Sequence, residues 1–437
     1  MATAWQQATV AVPVLMQEHC WQWAAGAAGR GSLFEQCAFS ADARAARRIP
    51  VFRTSGRALW PDRTNQKLQV RAAAPDKRSG AAGAVMSDSF HAAAAPCGAS
   101  LPQVALLATG GTIAGVADTP LEQISYQAGV LSVECMLESL PGIDGVARIA
   151  SRQCGNLPSE DMRPCHWAKL GRDCGEALDD TAMCGVVLTH GTDTLEESAF
   201  YLHLTMSSPK PVVLTGAMRP ATSLSADGPI NIRDAVAVAA SAGARGRGAL
   251  IVMNGRILSA RTAVKAGTLD VEAFRALESG LLGRVINGRP VFYHTGEDGP
   301  VLAGTYADHA GQDDLPRVDV LYACAGMPLD AVLFSLERSA GLVVAGMGNG
   351  SMPSDVREAL GRAVETGKPV VRASRTGGGP VTDLDGYAPF IASGMLSAPK
   401  ARVLLMLALA RAARQGTDSP QALFASVRRA FERCREV

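Results

Sequence analysis

The segment VALLATGGTIAG, residues 104–115, joins a short apolar run to a glycine-rich loop that contains one threonine. An apolar run without polar alternation is typical of a strand buried on both faces of a parallel sheet. The glycines that follow permit a tight turn with exposed backbone N–H groups. The segment therefore predicts a buried strand whose carboxyl end carries a polar loop.

Similar apolar runs recur along the chain, and each ends in Gly, Thr, Asn or Ser. They are GVVLTHG (185–191), PVVLTG (211–216), GALIVMNG (248–255), GLVVAGMGNG (341–350) and KPVVRASR (368–375). Stretches with helical spacing lie between them, such as LEESAFYLHLTM (195–206) and SDVREALGRAVETG (354–367). The alternation predicts an α/β protein with mainly parallel strands, and such sheets bind ligands at the carboxyl ends of their strands.

The organisation of the chain is indicated by segments that lack periodicity. A stretch around residues 291–315 is rich in Gly and Asp and has no long periodic pattern, which is typical of a linker. We expect a poorly ordered N-terminal extension (1–100), a large N-terminal domain (101–292), the linker (293–314) and a smaller C-terminal α/β domain (315–437). The large domain should hold a mixed, mainly parallel sheet flanked by helices.

Composition restricts the class of partner. The 437 residues carry a formal net charge of only +1, which argues against a nucleic-acid binder that needs a strongly basic face. The ten cysteines contain no CxxC pair, and we interpret them as reduced thiols, without a metal. No apolar run reaches the roughly 18 to 20 residues of a membrane span. We therefore expect a small-molecule partner, with no nucleic acid and no membrane.

The first hundred residues differ from the remainder. They hold eleven Lys and Arg against six Asp and Glu, and they mix Arg, Ala, Ser, Gly and Pro without periodicity. A secretory signal would begin with basic residues, which the first twenty positions lack. An organelle transit peptide and a true start at Met86 both stay open. A cytoplasmic location is expected, with periplasmic and organellar ones as alternatives.

The loop after the first strand raises two hypotheses about its chemistry. A phosphate-binding GxGxxG motif would need glycine at position 112, where Thr112 stands. A threonine hydroxyl can instead act as a nucleophile if a base accepts its proton. The loop after another predicted strand carries His190, Thr192 and Asp193 side by side. Taken alone, the threonines are typical of turns, Asp193 is typical of a helix N-cap, and His190 is expected to be structural.

Four motifs together resemble a known family, the bacterial-type L-asparaginases with type II-like features, of the asparaginase/glutaminase family. The motifs are LATGGTIAG (107–115), VLTHGTDTLEESAFYL (187–202), PVVLTGAMRPATSLSADGPINI (211–232) and VVAGMGNG (343–350). The similarity continues in the same order through residue 410. Four motifs in matching order are far more specific than any one of them.

The resemblance assigns roles to individual residues. It implies that Thr112 is the nucleophile, that Tyr126 belongs to a mobile lid, and that Thr192 and Asp193 form the second catalytic pair. Lys265 matches the lysine that contacts the second threonine. Amide hydrolysis needs a nucleophile, a proton acceptor and donors for a developing oxyanion, and hydroxyl, ammonium and backbone N–H groups can supply these.

The resemblance also assigns the residues that bind the substrate, and this sequence departs from the family pattern at two places. Asp193 and Glu160 would bind the α-ammonium group, and Ser159 with nearby backbone N–H groups the α-carboxylate. Glu160 is the acidic variant of a Gln/Glu position, which implies some glutaminase activity. In many members an adjacent subunit adds an asparagine and a glutamate. Here Cys324 replaces the amide, the segment 375–387 is shortened, and Asp383 or Asp385 is left as a substitute for the glutamate.

The function expected is hydrolysis of L-asparagine, and less efficiently L-glutamine, through an acyl-enzyme on Thr112 without any cofactor. The resemblance implies a homotetramer with sites at subunit interfaces. Four alternatives remain from the sequence. They are a relaxed glutaminase-asparaginase, a component of an aminoacyl-tRNA amidotransferase, a non-catalytic amino-acid sensor of the same fold, and a nucleotide-binding module.

Overall fold

The computed structural model describes residues 100–293, 302–417 and 419–434. The expectations for residues 1–99, and for the part of the linker at 294–301, lie outside the described residues. Residues 100–293 form ten strands and four α-helices. The strands are β1 (Gln103–Ala108), β2 (Arg148–Gln153), β3 (Met183–Thr189), β4 (Val212–Thr215), β5 (Ala249–Met253), β6 (Arg256–Ser259), β7 (Val264–Lys265), β8 (Phe274–Arg275), β9 (Gly283–Ile286) and β10 (Arg289–Phe292).

Eight of these strands form one large mixed sheet, in the order β10-β9-β6-β5-β4-β3-β1-β2. The strands from β2 to β5 are parallel, and β6, β9 and β10 extend the sheet with antiparallel pairs. Strands β7 and β8 form a separate two-stranded ladder. The central strands β1, β3, β4 and β5 are buried along nearly their whole length, as their continuous apolar composition predicts.

Helices cover the large sheet on its two faces. They are α1 (Val133–Glu138), α2 (Pro164–Asp179), α3 (Leu195–Thr205) and α4 (Gly228–Ala239). Helix α3 is buried on almost every side, because α2 and a helix of the second domain pack beside it while its inner side lies on the sheet. A helix enclosed in this way is apolar all round, and its few charged residues need partners.

The second domain contains a four-stranded parallel sheet in the order β11-β12-β13-β14. Its strands are β11 (Val318–Tyr322), β12 (Gly341–Gly346), β13 (Val370–Ser374) and β14 (Ile391–Ala392). Its helices are α5 (Leu329–Arg338), α6 (Ser354–Glu365), α7 (Ala398–Arg414) and α8 (Pro420–Glu432). Helix α7 packs on this sheet and against α3 of the first domain, so it joins the two cores.

The predicted fold class, a two-domain α/β protein, is confirmed. All six apolar runs are strands, and the two helical stretches are α3 and α6. The sequence did not indicate β2, β6, β9 and β10, because these strands are short or exposed and lack a continuous apolar run. In the part of the chain that the structure describes, no helix combines the length and the apolar character that crossing a bilayer requires.

The strand order sets the position of the loops that carry chemistry. Strands β1 and β3 are neighbours, and the chain continues from β1 to β2 on one side of the pair and from β3 to β4 on the other, so these two connections run in opposite directions along the sheet. The loops after β1 and β3 therefore emerge side by side at the carboxyl edge, with a crevice between them. Ligands in open α/β sheets bind at such a reversal of strand order.

Candidate active site

Backbone contacts hold the loops after β1 and β3 together. The N–H of Thr109 donates to Thr189 O at 3.1 Å, and its hydroxyl donates to the same oxygen at 2.9 Å. Gly111 has φ +84° and ψ −170°, and a Cβ there would lie only 2.3 Å from Gly191 Cα. Only glycine allows both this conformation and this approach. The approach places Thr112 and Thr192, each the next residue in its loop, on adjacent loops.

Thr112 is paired with Tyr126, the residue expected on a lid. Its hydroxyl lies 2.6 Å from the hydroxyl of Tyr126, and either oxygen can donate. The Tyr126 ring packs on Gly115, where a Cβ would lie 2.8 Å from the ring. Reciprocal backbone hydrogen bonds of 2.9 Å between Val116 and Gln127 hold the segment that carries Tyr126 beside the loop. Thr112 itself is 8% exposed, so its hydroxyl sits at the floor of the crevice.

The second threonine lies in a cluster with a lysine and an aspartate. Lys265 Nζ donates to Thr192 Oγ1 at 2.9 Å and to Asp193 Oδ1 at 2.5 Å. Lys265 is the last residue of β7, and its side chain is largely buried, whereas that of Asp193 is 60% exposed. A lysine amine held between an exposed carboxylate and a buried hydroxyl can give a proton to that hydroxyl as the ammonium and take one from it as the neutral amine.

Ser159 lies beneath this cluster in a single turn of 3₁₀ helix, Ser159–Asp161. Its hydroxyl accepts a hydrogen bond from the N–H of Asp193 at 3.1 Å, and its carbonyl accepts one from the hydroxyl of Thr194 at 2.7 Å. Glu160, the next residue, is exposed. The structure thus brings Ser159 into the cluster and places Glu160 at its solvent side.

The surroundings of His190 and Asp193 answer two questions that the sequence left open, namely the role of each side chain. His190 is fully buried, with Nδ1 2.7 Å from Gly191 O and Nε2 2.9 Å from the Ser198 hydroxyl, so its structural role is confirmed. Burial lowers the pKa of His190 to about 4, which keeps the ring neutral near pH 7. The N-cap of α3 is Thr194, so the alternative reading of Asp193 as the helix N-cap is wrong, and its carboxylate pairs with Lys265 instead.

The residues at the two departures lie on the second domain. Cys324 follows β11 and is half-buried, and Asp383 and Asp385 are exposed on the segment that precedes β14. The hydrogen bonds of Thr112, Tyr126 and Lys265 that are given above join them to residues other than Cys324, Asp383 and Asp385. Six cysteines of the described segments are free thiols, namely Cys135, Cys154, Cys165, Cys174, Cys184 and Cys324.

Two charged residues next to Lys265 were missed from the sequence. Glu196, in the first turn of α3, accepts a hydrogen bond from the backbone N–H of Lys265 at 3.2 Å. Lys400, in the first turn of α7, donates to the carbonyl of Ala263. The available signal was a pair of charged residues in each of two helices rich in apolar residues, Glu196 and Glu197 in LEESAFYLHLT and Lys400 and Arg402 in APKARVLLMLALA.

Comparison with known proteins agrees with this geometry. Residues 103–297 match the family described as "Asparaginase, N-terminal", and residues 317–424 match the "Glutaminase/Asparaginase C-terminal domain". The chain is 39% identical to L-asparaginase 2 of Bacillus subtilis over 327 residues, which is 74% of this chain and 84% of the relative. It is 38% identical to L-asparaginase 2 of Escherichia coli over 335 residues, which is 74% of this chain and 91% of the relative.

A solved structure gives the same result at the level of the fold. The crystal structure of a probable cytoplasmic L-asparaginase from Campylobacter jejuni superposes with a TM-score of 0.70 at 36% sequence identity, covering 76% of this chain and 99% of that one. Both family models and the curated relatives give the same assignment. The chain therefore belongs to the asparaginase family.

Proposed function

We propose that this chain is an L-asparagine amidohydrolase that converts L-asparagine to L-aspartate and ammonia, with Thr112 as the nucleophile. One observation carries the proposal. Two hydroxyl groups stand on adjacent loops, Thr112 with Tyr126 at 2.6 Å and Thr192 with Lys265 at 2.9 Å. Each hydroxyl thus has a neighbour that can exchange a proton with it, which is the requirement for acyl transfer through an alcohol.

The chemistry proceeds in two steps. Thr112 Oγ1 attacks the carbon of the side-chain amide, the bond to nitrogen breaks, and an ester forms on Thr112. Thr112 loses its proton through Tyr126, and the amide nitrogen gains one proton, so the leaving group departs as ammonia. Water then attacks the ester, one of its protons returns to Thr112, and L-aspartate is released. Thr192 and Lys265 carry protons on the opposite side of the crevice, and backbone N–H groups of the glycine-rich loop stabilise the oxyanion.

The substrate is bound at its two charged ends. The exposed carboxylates of Asp193 and Glu160 take the α-ammonium group, and the Ser159 hydroxyl with nearby N–H groups takes the α-carboxylate. Because Glu160 is the acidic variant at its position, a lower activity on L-glutamine accompanies the main reaction. Replacing Glu160 with glutamine should change the ratio of the two kcat/KM values.

The proposal includes an assembly and a location. The chain forms a homotetramer in which each site lies at an interface between two subunits, and Asp383 or Asp385 of a neighbour takes the place of the family's glutamate. Exposure of both aspartates on the second domain supports this part. The domains are taken to span 101–292 and 315–437, and the protein is taken to act in the cytoplasm. Light scattering of the purified chain tests the assembly.

Release of ammonia from L-asparagine and from L-glutamine tests the reaction. Thr112→Ala should lower kcat by roughly 10³-fold or more, because no other group forms the ester. Thr181→Ala, an exposed threonine before β3, is the matched control and should keep the parent rate. Calorimetric binding of L-aspartate to Thr112→Ala shows whether the site stays intact. A parent chain that binds L-asparagine and releases no ammonia would refute hydrolysis and favour the amino-acid sensor.

A further inference from the structure

A buried pair of opposite charges lies behind Lys265. Glu196 stands in the first turn of α3, four residues after Thr192, and Lys400 stands in the first turn of α7. Lys400 is fully buried and Glu196 is 9% exposed. Lys400 Nζ lies 3.9 Å from Glu196 Oε2. The pair therefore joins the first domain to the second at the base of the crevice.

Both members of the pair also bind the backbone that carries Lys265. The ammonium of Lys400 donates to the carbonyl of Ala263, and the N–H of Lys265 donates to Glu196 Oε2 at 3.2 Å. The segment 263–265 is thus held at two points, by one charge from each of two helices. Hydrogen bonds to charged groups are stronger than those between neutral groups.

Besides these two bonds, the segment is held by the buried Ala263, whose N–H donates to Ser259 O at 2.9 Å, and by a short ladder. Strand β7 is only two residues long, and it pairs with the two-residue strand β8 at the side of the large sheet. An isolated ladder of this length is marginally stable by itself. The position of Lys265 Nζ, between Thr192 and Asp193, consequently depends on what fixes the backbone of β7.

We propose that Glu196 and Lys400 are positioning residues, which hold the backbone of residues 263–265 so that the Lys265 ammonium meets Thr192 and Asp193. The catalytic part of this inference rests on the proposed function. Glu196 lies in the helix turn that directly follows Thr192 and Asp193, and its carboxylate binds the backbone of Lys265. One carboxylate therefore connects the two segments that form the proton-transfer cluster. Lys400 extends that tie to the second domain.

The energetics favour such a role over one in stability. Burial lowers the pKa of Lys400 to about 8 and raises the pKa of Glu196. Both shifts show that desolvation opposes the charged forms, and replacing a buried ion pair with apolar residues is often neutral or stabilising. A neighbouring pair, Glu197 with Arg402 at 3.8 Å, links the same two helices, and its guanidinium donates to Val318 O at the start of β11. It offers an internal control.

The experiment compares Glu196→Gln, Glu196→Leu and Glu197→Leu in the full chain. Glutamine keeps an acceptor for the N–H of Lys265, whereas leucine removes it, and in both variants Lys400 loses its anionic partner. Kinetics on L-asparagine give kcat and KM, and hydrogen exchange measured by mass spectrometry reports on residues 261–266. Should Glu196→Leu fold poorly, the double variant Glu196→Leu with Lys400→Met removes both charges at similar volume.

We expect Glu196→Leu, or the double variant, to lower kcat by about 10- to 100-fold with a smaller change in KM, since a displacement of about 1 Å costs roughly 10²-fold in rate. Hydrogen exchange should rise in residues 261–266 alone. Glu196→Gln should recover most of kcat, and Glu197→Leu should match the parent chain.

Two results would overturn the inference. One is a Glu196→Leu variant with parental kcat and parental exchange. The other is an equal loss in all three variants, which would indicate general packing of α3 against α7. A parent chain without any ammonia release would refute the proposed function instead, and the exchange of residues 261–266 would still decide whether the charged pair holds β7.

Discussion

Replacing Gly111 with alanine should separate the two loops of the crevice. A Cβ at this position would lie 2.3 Å from Gly191 Cα and 2.5 Å from Gly191 N. Carbon atoms pack at about 3.5–4.0 Å, so the loops must move apart by about 1 Å or more. The backbone at φ +84° and ψ −170° adds about 1–3 kcal/mol of strain for a residue with a side chain. Overpacking adds a similar amount if the loops do not yield.

The consequence for catalysis follows from the distance between the hydroxyls. Thr112 and Thr192 are the residues next to the contact, and a displacement of about 1 Å between reacting groups costs roughly 10²-fold in rate. We therefore expect Gly111→Ala to lower kcat for L-asparagine by about 10²-fold and to lower the melting temperature. Both are measured on the same preparation, by ammonia release and by thermal denaturation.

A control isolates the contact from the backbone conformation. Gly142 also has a positive φ of +77°, but a Cβ there would have no neighbour within 4 Å. Gly142→Ala should cost about 1 kcal/mol of stability and leave kcat unchanged. Parental kcat in Gly111→Ala would refute the reasoning, because it would mean that the spacing of the two loops does not govern the reaction.

Two further predictions concern Tyr126 and His190. Tyr126→Phe keeps the ring on Gly115 but removes the hydroxyl that lies 2.6 Å from Thr112, so kcat should fall by about 10²-fold or more. The control variant Tyr293→Phe, at an exposed tyrosine, should leave kcat unchanged. Equal rates in the two variants would exclude Tyr126 as the proton carrier. Burial lowers the pKa of His190 to about 4, while an unfolded chain keeps histidine near about 6.5, so the unfolded chain binds more protons between these values. The free energy of unfolding should therefore fall by up to about 3 kcal/mol as the pH drops from about 6.5 to about 4. Urea titrations at pH 7 and pH 5 measure this slope, which His190→Asn should flatten and the partly exposed His166→Gln should not; an unchanged slope in His190→Asn would contradict the assignment.

The sequence alone was sufficient for the strands and loops that build the crevice. An apolar run as short as residues 104–108, followed closely by Gly110 and Gly111, is typical of a buried strand that ends in a turn. Burial patterns and turn chemistry are local, so they can be read from a few adjacent residues. The family motifs then led to Thr112, Thr192 and Lys265, and the structure places hydrogen-bonding partners beside each of them.

Other features were decided only when distant segments came together. Asp193 is typical of a helix cap in isolation, but Lys265, 72 positions along the chain, takes its carboxylate. Glu196 and Lys400 each look like ordinary surface charges on a helix, until α7 covers α3 and excludes water from both. A local sequence pattern shows how polar a residue is. It does not show which distant residue will bury that residue and exclude water from it. The reversal of strand order at β1 and the contact between the two domains supply that information, since they alone determine which charges are desolvated together.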